Sequence, residues 1–187
     1  MTMSDSLSML AQAARSLLHE ATGLDEARIV IGPPYEAAER QKNYADNDYL
    51  CVFFYRVGYS GFPADASSGD PLYLKAFCMI TAFGGNSAGK TPGDSELKLI
   101  GAVAEWFHSH PVLKLINDKK EVKAQIQIVP TVLTLDDINH LWATQNNTPY
   151  RLSLSYEFAL LPIPLKDRAE SDAMKVKDVF ITVGSNL

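Results

Sequence analysis

The chain has 187 residues, of which 47% are apolar and 21% charged, with a formal net charge of −5. This composition excludes intrinsic disorder, collagen-like repeats and low complexity, and the mild acidity, with Lys and Arg scattered, argues against a phosphate backbone as the main partner. A chain of this length buries roughly 70% of its unfolded surface, so it needs neither disulfides nor a structural metal to hold a core.

The predicted elements run as follows. Leu7, Leu10, Ala11, Ala14, Leu17, Leu18 and Ala21 follow helical spacing, and Gly23 is placed to end the helix. Residues 29–31 form a short strand stopped by Gly32-Pro33-Pro34, and residues 35–48 read as polar and irregular. Residues 48–57 (DYLCVFFYRV) are aromatic and apolar on both faces, which predicts a central strand. A Gly/Ser/Pro/Asp loop at 58–71 leads into a second long strand at 72–83 (LYLKAFCMITAF). A Gly-rich loop precedes a helix over 95–108. Residues 125–133 alternate but contain Pro130, which predicts an edge strand or a bulge. Thr134 with Asp137 three residues on is a helix start, opening a short helix through Trp142. In 151–161 (RLSLSYEFALL), Leu152, Leu154, Tyr156 and Phe158 face one way and Ser153, Ser155 and Glu157 the other. Residues 166–175 are linker-like, and 176–183 form one more candidate strand. The expected fold class is α+β, a mixed, largely antiparallel sheet with helices packed on it. The expected organisation is one domain over 1–165 and a C-terminal extension over 166–187.

The two cysteines, Cys51 and Cys78, lie inside apolar runs and read as small core residues, consistent with a reducing compartment. Asp5 and other polar residues precede Leu7 without a basic cluster, and no apolar stretch approaches the ~20 residues of a membrane span. The expectation is therefore a chain made and folded in the cytosol, with no membrane or nucleic acid as partner.

Three features mimic catalytic chemistry. Gly84-Gly-Asn-Ser-Ala-Gly89-Lys90-Thr91 fits the phosphate-loop pattern G-x-x-x-x-G-K-[ST] and follows a strand. The mechanism requires Lys90 and Thr91 in the first turn of a helix, whereas Pro92-Gly93-Asp94 reads as an interruption there. The context favours a plain strand-to-helix loop over a nucleotide site. Trp106-Phe107-His108-Ser109-His110-Pro111 resembles the zinc-binding stretch of JAMM-type metallopeptidases. Two His at i and i+2 share a face on a strand but lie about 200° apart on a helix. Leu97, Ile100, Gly101, Ala104, Phe107 and His108 run at helical spacing, so the pair is predicted at a helix C-terminus, where His is favourable. Neither Cys has a nearby His and no G-x-S-x-G elbow exists, so no nucleophile emerges. His19 and His140 read as surface residues. No catalytic, metal or cofactor residue is expected.

An ordered set remains. It comprises Leu72-Tyr73-Leu74 running into Thr81-Ala82-Phe83, Glu96-Leu97-Lys-Leu-Ile100-Gly101, His110-Pro111-Val112-Leu113, Leu141-Trp142, and Pro149-Tyr150-Arg151-Leu152-Ser153-Leu154-Ser155-Tyr156-Glu157. Over residues 5–165 it resembles the tail-terminator, or cap, family of phage-tail-like contractile injection systems. The resemblance implies a structural protein rather than an enzyme. It implies a six-fold homo-oligomeric ring on the tail end distal to the baseplate, bound to the last layers of inner tube and contractile sheath. It places the chain in the bacterial cytoplasm and then in an injection particle. A head-to-tail ring needs complementary patches, for which the strands at 125–133 and 176–183 are candidate edges. Trp142, Tyr150 and Arg151 are candidate partner-binding residues, aromatics being common interface anchors, although core packing of Trp142 and Tyr150 against the last strand is the more economical reading. The resemblance offers nothing for the last twenty or so residues.

Overall fold

A computed structural model describes residues 3–60, 72–86, 89, 91–116 and 122–163. Among them, the elements in chain order are α1 (Met3–Thr22), a single 3-10 turn (Glu26–Arg28), β1 (Ile29–Ile31), α2 (Pro34–Asn43), β2 (Tyr49–Tyr59), β3 (Leu72–Phe83), α3 (Pro92–Ser109), β4 (Val112–Ile116), β5 (Val122–Thr131), α4 (Leu135–Ala143) and β6 (Ser153–Ile163). The six strands form one sheet in the order β1-β2-β3-β6-β5-β4. Only β1–β2 is parallel; β2–β3, β3–β6, β6–β5 and β5–β4 are antiparallel. The α+β class with a mixed, largely antiparallel sheet is what the element pattern predicts.

The pleat of β2 explains why this strand is apolar on both sides. Leu50 and Val52 enter a core shared with Leu10 and Leu18 of α1 and with Leu99, Ile100, Val103 and Phe107 of α3. Tyr49 and Cys51 point the other way, into a smaller core with Val30, Phe83 and Ala37 of α2. Successive strand residues face opposite sides, so a strand covered on both has no polar positions to spare. The expected alternation of β6 holds from Leu154 on: Tyr156 and Phe158 are buried in the larger core with Leu154 packed against it, whereas Leu152 precedes the strand and is exposed. On the other face Ser153 hydrogen-bonds the Thr81 hydroxyl at 2.9 Å.

Five expectations need correcting. Residues 35–48 are not irregular throughout, because Pro34–Asn43 is helical. Its buried side is made of Pro34 and Ala37, too small to give a periodic signal, and Pro in the first turn costs nothing because its missing N–H would have no partner there. The helix expected over 95–108 starts three residues earlier. Thr91 is its N-cap, joined to Asp94 in a reciprocal capping box, and Pro92 opens the helix rather than interrupting it. Residues 112–116 form a strand that the sequence reading leaves unassigned.

The fourth correction concerns β5, which is not a full edge strand. Its first part pairs with β4 and its last part with β6. Ile128 N–H donates to the Pro111 carbonyl at 2.8 Å, so by alternation position 130 directs its nitrogen to that same side, beyond the start of β4. Pro130 thus removes the donor from the short free edge, which makes β5 a poor template for strand addition. Residues 58 and 59, expected in a loop, continue β2. Residues 61–71 of that loop, the linker at 166–175 and the candidate strand at 176–183 lie outside the described residues.

Candidate partner-binding surface

The end of the sheet where β3 and β5 finish and β6 begins gathers the three residues singled out as partner contacts. The Thr134–Asp137 capping box holds the start of α4, with the Thr134 hydroxyl donating to Asp137 Oδ2 at 2.7 Å and Asp137 N–H returning to Thr134 at 3.2 Å. That hydroxyl, with the backbone N–H of Thr134, holds the Asp137 carboxyl below its usual range. Asn146 and Asn147, at φ 49° and 58°, then turn the chain back, a conformation Asn tolerates better than most residues. This return stacks Tyr150 edge-on against Trp142, with ring centroids 5.3 Å apart at 67°. Trp142 is buried, whereas Tyr150 is 56% exposed. Trp142 therefore acts as the support and Tyr150 as the presented ring.

Arg151 is held from beneath. Its guanidinium donates to Glu96 Oε1 at 2.9 Å, and the same oxygen accepts the Gly84 N–H at 3.2 Å. Glu96, on α3, is buried, so its carboxylate ties together α3, the loop after β3 and the entry to β6. Beside Tyr150 lies a cleft of about 260 Å³ whose walls include Met79, Pro130, Ile138 and Leu154. Val132, 97% exposed, lines it too, and Leu135 at the start of α4 is 78% exposed. Neither was singled out from sequence. Leu135 stands at helical spacing with Ile138 and Trp142, and Val132 falls inside the run read as an alternating strand, so periodicity gives no sign of their exposure.

The phosphate-loop mimic has a packing explanation. An ideal Cβ on Gly84 would lie 1.9 Å from the Pro92 carbonyl oxygen, and one on Gly85 2.6 Å from the Asp46 backbone. The carbonyl of Gly84 accepts from the Gln41 amide, and Gly85 N–H donates to Asp48 Oδ1 at 2.7 Å. These glycines let backbone approach backbone, and the Thr91 hydroxyl is committed to Asp94 at 2.8 Å. Lys90 lies outside the described residues.

The histidine pair sits where helical spacing predicts. His108 is in the last turn of α3 and His110 is its C-cap. The His110 ring stacks on Trp106 at 4.0 Å, and Ser109 Oγ donates to the Glu105 carbonyl at 2.9 Å. Among the described residues no three His, Cys, Asp or Glu side chains are placed to share a metal ion. His19 and His140 are exposed. Cys51 and Cys78 are buried free thiols whose pKa values burial pushes up, which leaves them unreactive.

Residues 8–174 match the family model described as the Pvc16 N-terminal domain. No curated protein matches the chain. Among solved structures, it is similar to the PVC sheath/tube terminator of an extracellular contractile injection system in the extended state (TM-score 0.56, 19% identity, covering 96% of this chain and 63% of that one). It is also similar to the anti-feeding prophage cap, the AFP tube terminating cap (TM-score 0.56, 17% identity, covering 93% of this chain and 60% of that one). The chain thus spans a little over three-fifths of the first of these proteins and three-fifths of the second, and at such identities the likeness is one of fold. The family match covers most of the sequence, and the chain belongs to the Pvc16 N-terminal domain family.

Proposed function

We propose that this protein is the cap of a contractile injection system, ending polymerisation of inner tube and sheath at the end distal to the baseplate. The observation that carries the reading is the family match over residues 8–174, supported by a fold shared with a sheath/tube terminator and a tube terminating cap. In this reading the protein is not an enzyme. It closes into a homohexameric ring through heterologous contacts, and it is made in the bacterial cytoplasm before joining the particle. Tyr150 and Arg151, backed by Trp142, meet the partner. Residues 1–165 are the structural unit and 166–187 an extension. The test is to delete the gene in a producing strain and measure tail lengths by negative-stain microscopy. The expected result is tails of uncontrolled length or unstable sheaths, restored by the wild-type chain. Particles of normal length and stability without the gene would overturn the proposal.

A further inference from the structure

The outer side of β1 carries polar groups that the core does not use. Gly32 N–H donates to the Val52 carbonyl at 3.0 Å, so by alternation Ile29 and Ile31 direct their backbone groups away from β2. Among the described residues no strand lies on that side. Arginine closes this edge to a further strand. Arg15 Nε, from α1, donates to the Ile29 carbonyl at 3.3 Å, and Arg40 Nη1, from α2, donates to the Ala27 carbonyl at 3.4 Å. Both side chains wall a niche of about 320 Å³ together with Glu26, Ala27 and residues 29–31.

The charges of this niche do not balance. Among the described residues neither guanidinium forms an ion pair. Their carbonyl anchors are two residues apart, at most about 7 Å along the chain, which brings two like charges to one wall. Glu26 supplies one negative charge, and its Oε1 accepts from the Ser16 hydroxyl at 3.2 Å. Glu36 lies against Gly32 and acts on Cys51, outside the walls of the niche. Two arginines against one glutamate leave one positive charge. Each guanidinium uses one N–H on its carbonyl and keeps others for a ligand, and Ile31 N–H is directed to the same side. A carboxylate is planar, carries a single charge and is the acceptor that guanidinium forks match. A phosphate group, with up to two charges, fits the balance less well. We propose that this niche is a docking site for an acidic side chain of a partner protein, its carboxylate bridging Arg15 and Arg40 beside Ile31 N–H.

The test titrates the blocked peptide acetyl-Gly-Glu-Gly-amide into the isotope-labelled full chain at constant ionic strength, following the arginine Nε–H and Ile31 amide signals by NMR. Saturation is expected with a Kd of about one millimolar, the affinity that two charge-assisted hydrogen bonds supply. The neutral peptide acetyl-Gly-Gln-Gly-amide is expected to bind about tenfold more weakly. Arg40 is exposed, so Arg40→Gln keeps the fold and is expected to weaken binding of the acidic peptide about tenfold. Arg15→Lys retains the charge without the fork and is expected to weaken it as well. Shifts that grow linearly without saturating, equal binding of the two peptides, or undiminished affinity in Arg40→Gln would overturn the proposal. Inorganic phosphate saturating the same signals at lower concentration would also overturn it and assign the niche to a phosphate group.

Discussion

Gly84 and Gly85 show how a motif-like string arises from packing. Both lie where the end of β3 passes under the start of α3 and beside the turn after α2. The space for a Cβ is filled by backbone, at 1.9 Å for Gly84. Backbone cannot swing aside as a side chain can, so Gly84→Ala is expected to cost about 2–4 kcal/mol, read as a lower urea midpoint. Glu96→Gln should cost less, because the amide oxygen still accepts from Gly84 while the charge on Arg151 loses its partner. The buried thiols make a second prediction at this scale. Cys51 and Cys78 have their pKa raised by burial, and Tyr156 likewise by burial and then by Cys78. A group whose folded pKa is raised contributes fully below its unfolded value, and the contribution is lost as pH rises past it. From the ordinary thiol value of 9.0 upward, the unfolded chain releases protons that the folded chain keeps. Stability should then fall by about 1.4 kcal/mol per pH unit for each thiol, with Tyr156 adding its share above 10.0. Cys78→Ala is expected to make the decline between pH 9 and 10.5 shallower by about one such slope in urea titrations; an unchanged slope would refute the assignment.

At the scale of elements, α4 is the most dependent on its ends. Of its nine residues only Trp142 is buried, so the capping box must contribute what packing does not. Thr134→Ala is expected to cost about 1 kcal/mol, seen as faster hydrogen exchange in α4 while the exchange of β3 and β6 stays unchanged. The same weak packing bears on legibility. β2, β3 and β6 were readable because long runs must alternate, or be apolar on both faces, when a sheet is covered from both sides. Their bounds followed closely, with β3 matching to the residue. α2 was not readable because its buried face is Pro34 and Ala37, residues whose small surface contributes little periodicity. β4 was not readable because five residues between Pro111 and the following segment are too few to establish a period. The early start of α3 was legible in principle, since Thr91-x-x-Asp94 is the same capping signal that located α4. The reading of Pro92 as a breaker outweighed it. At the candidate surface, Trp142, Tyr150 and Arg151 came from the resemblance. Val132 and Leu135 escaped because exposure of an apolar side chain is a property of the fold and leaves no periodic trace.

At the scale of the whole molecule, α1 and α3 pack on one face of the sheet and α2 on the other, while β4 is the outer strand at its end among the described residues. A ring built from such a unit must make its contacts through features that the core does not need. Tyr150 and Trp142 separate these two demands, although they touch. Trp142 is buried, and Trp142→Ala is expected to destabilise the protein by about 3 kcal/mol or more. Tyr150 is 56% exposed, so Tyr150→Ala should lower stability by less than about 1 kcal/mol. If the proposed cap meets its partner here, Tyr150→Ala chains supplied to the deletion strain will fold, accumulate normally and still fail to restore uniform tail length. Full restoration of tail length by this variant would move the partner surface elsewhere, with the outer edge of β4 the next place to test. Strand addition there meets neither the proline that blunts β5 nor an arginine such as Arg15, whose side chain already caps the Ile29 carbonyl on the β1 edge at 3.3 Å.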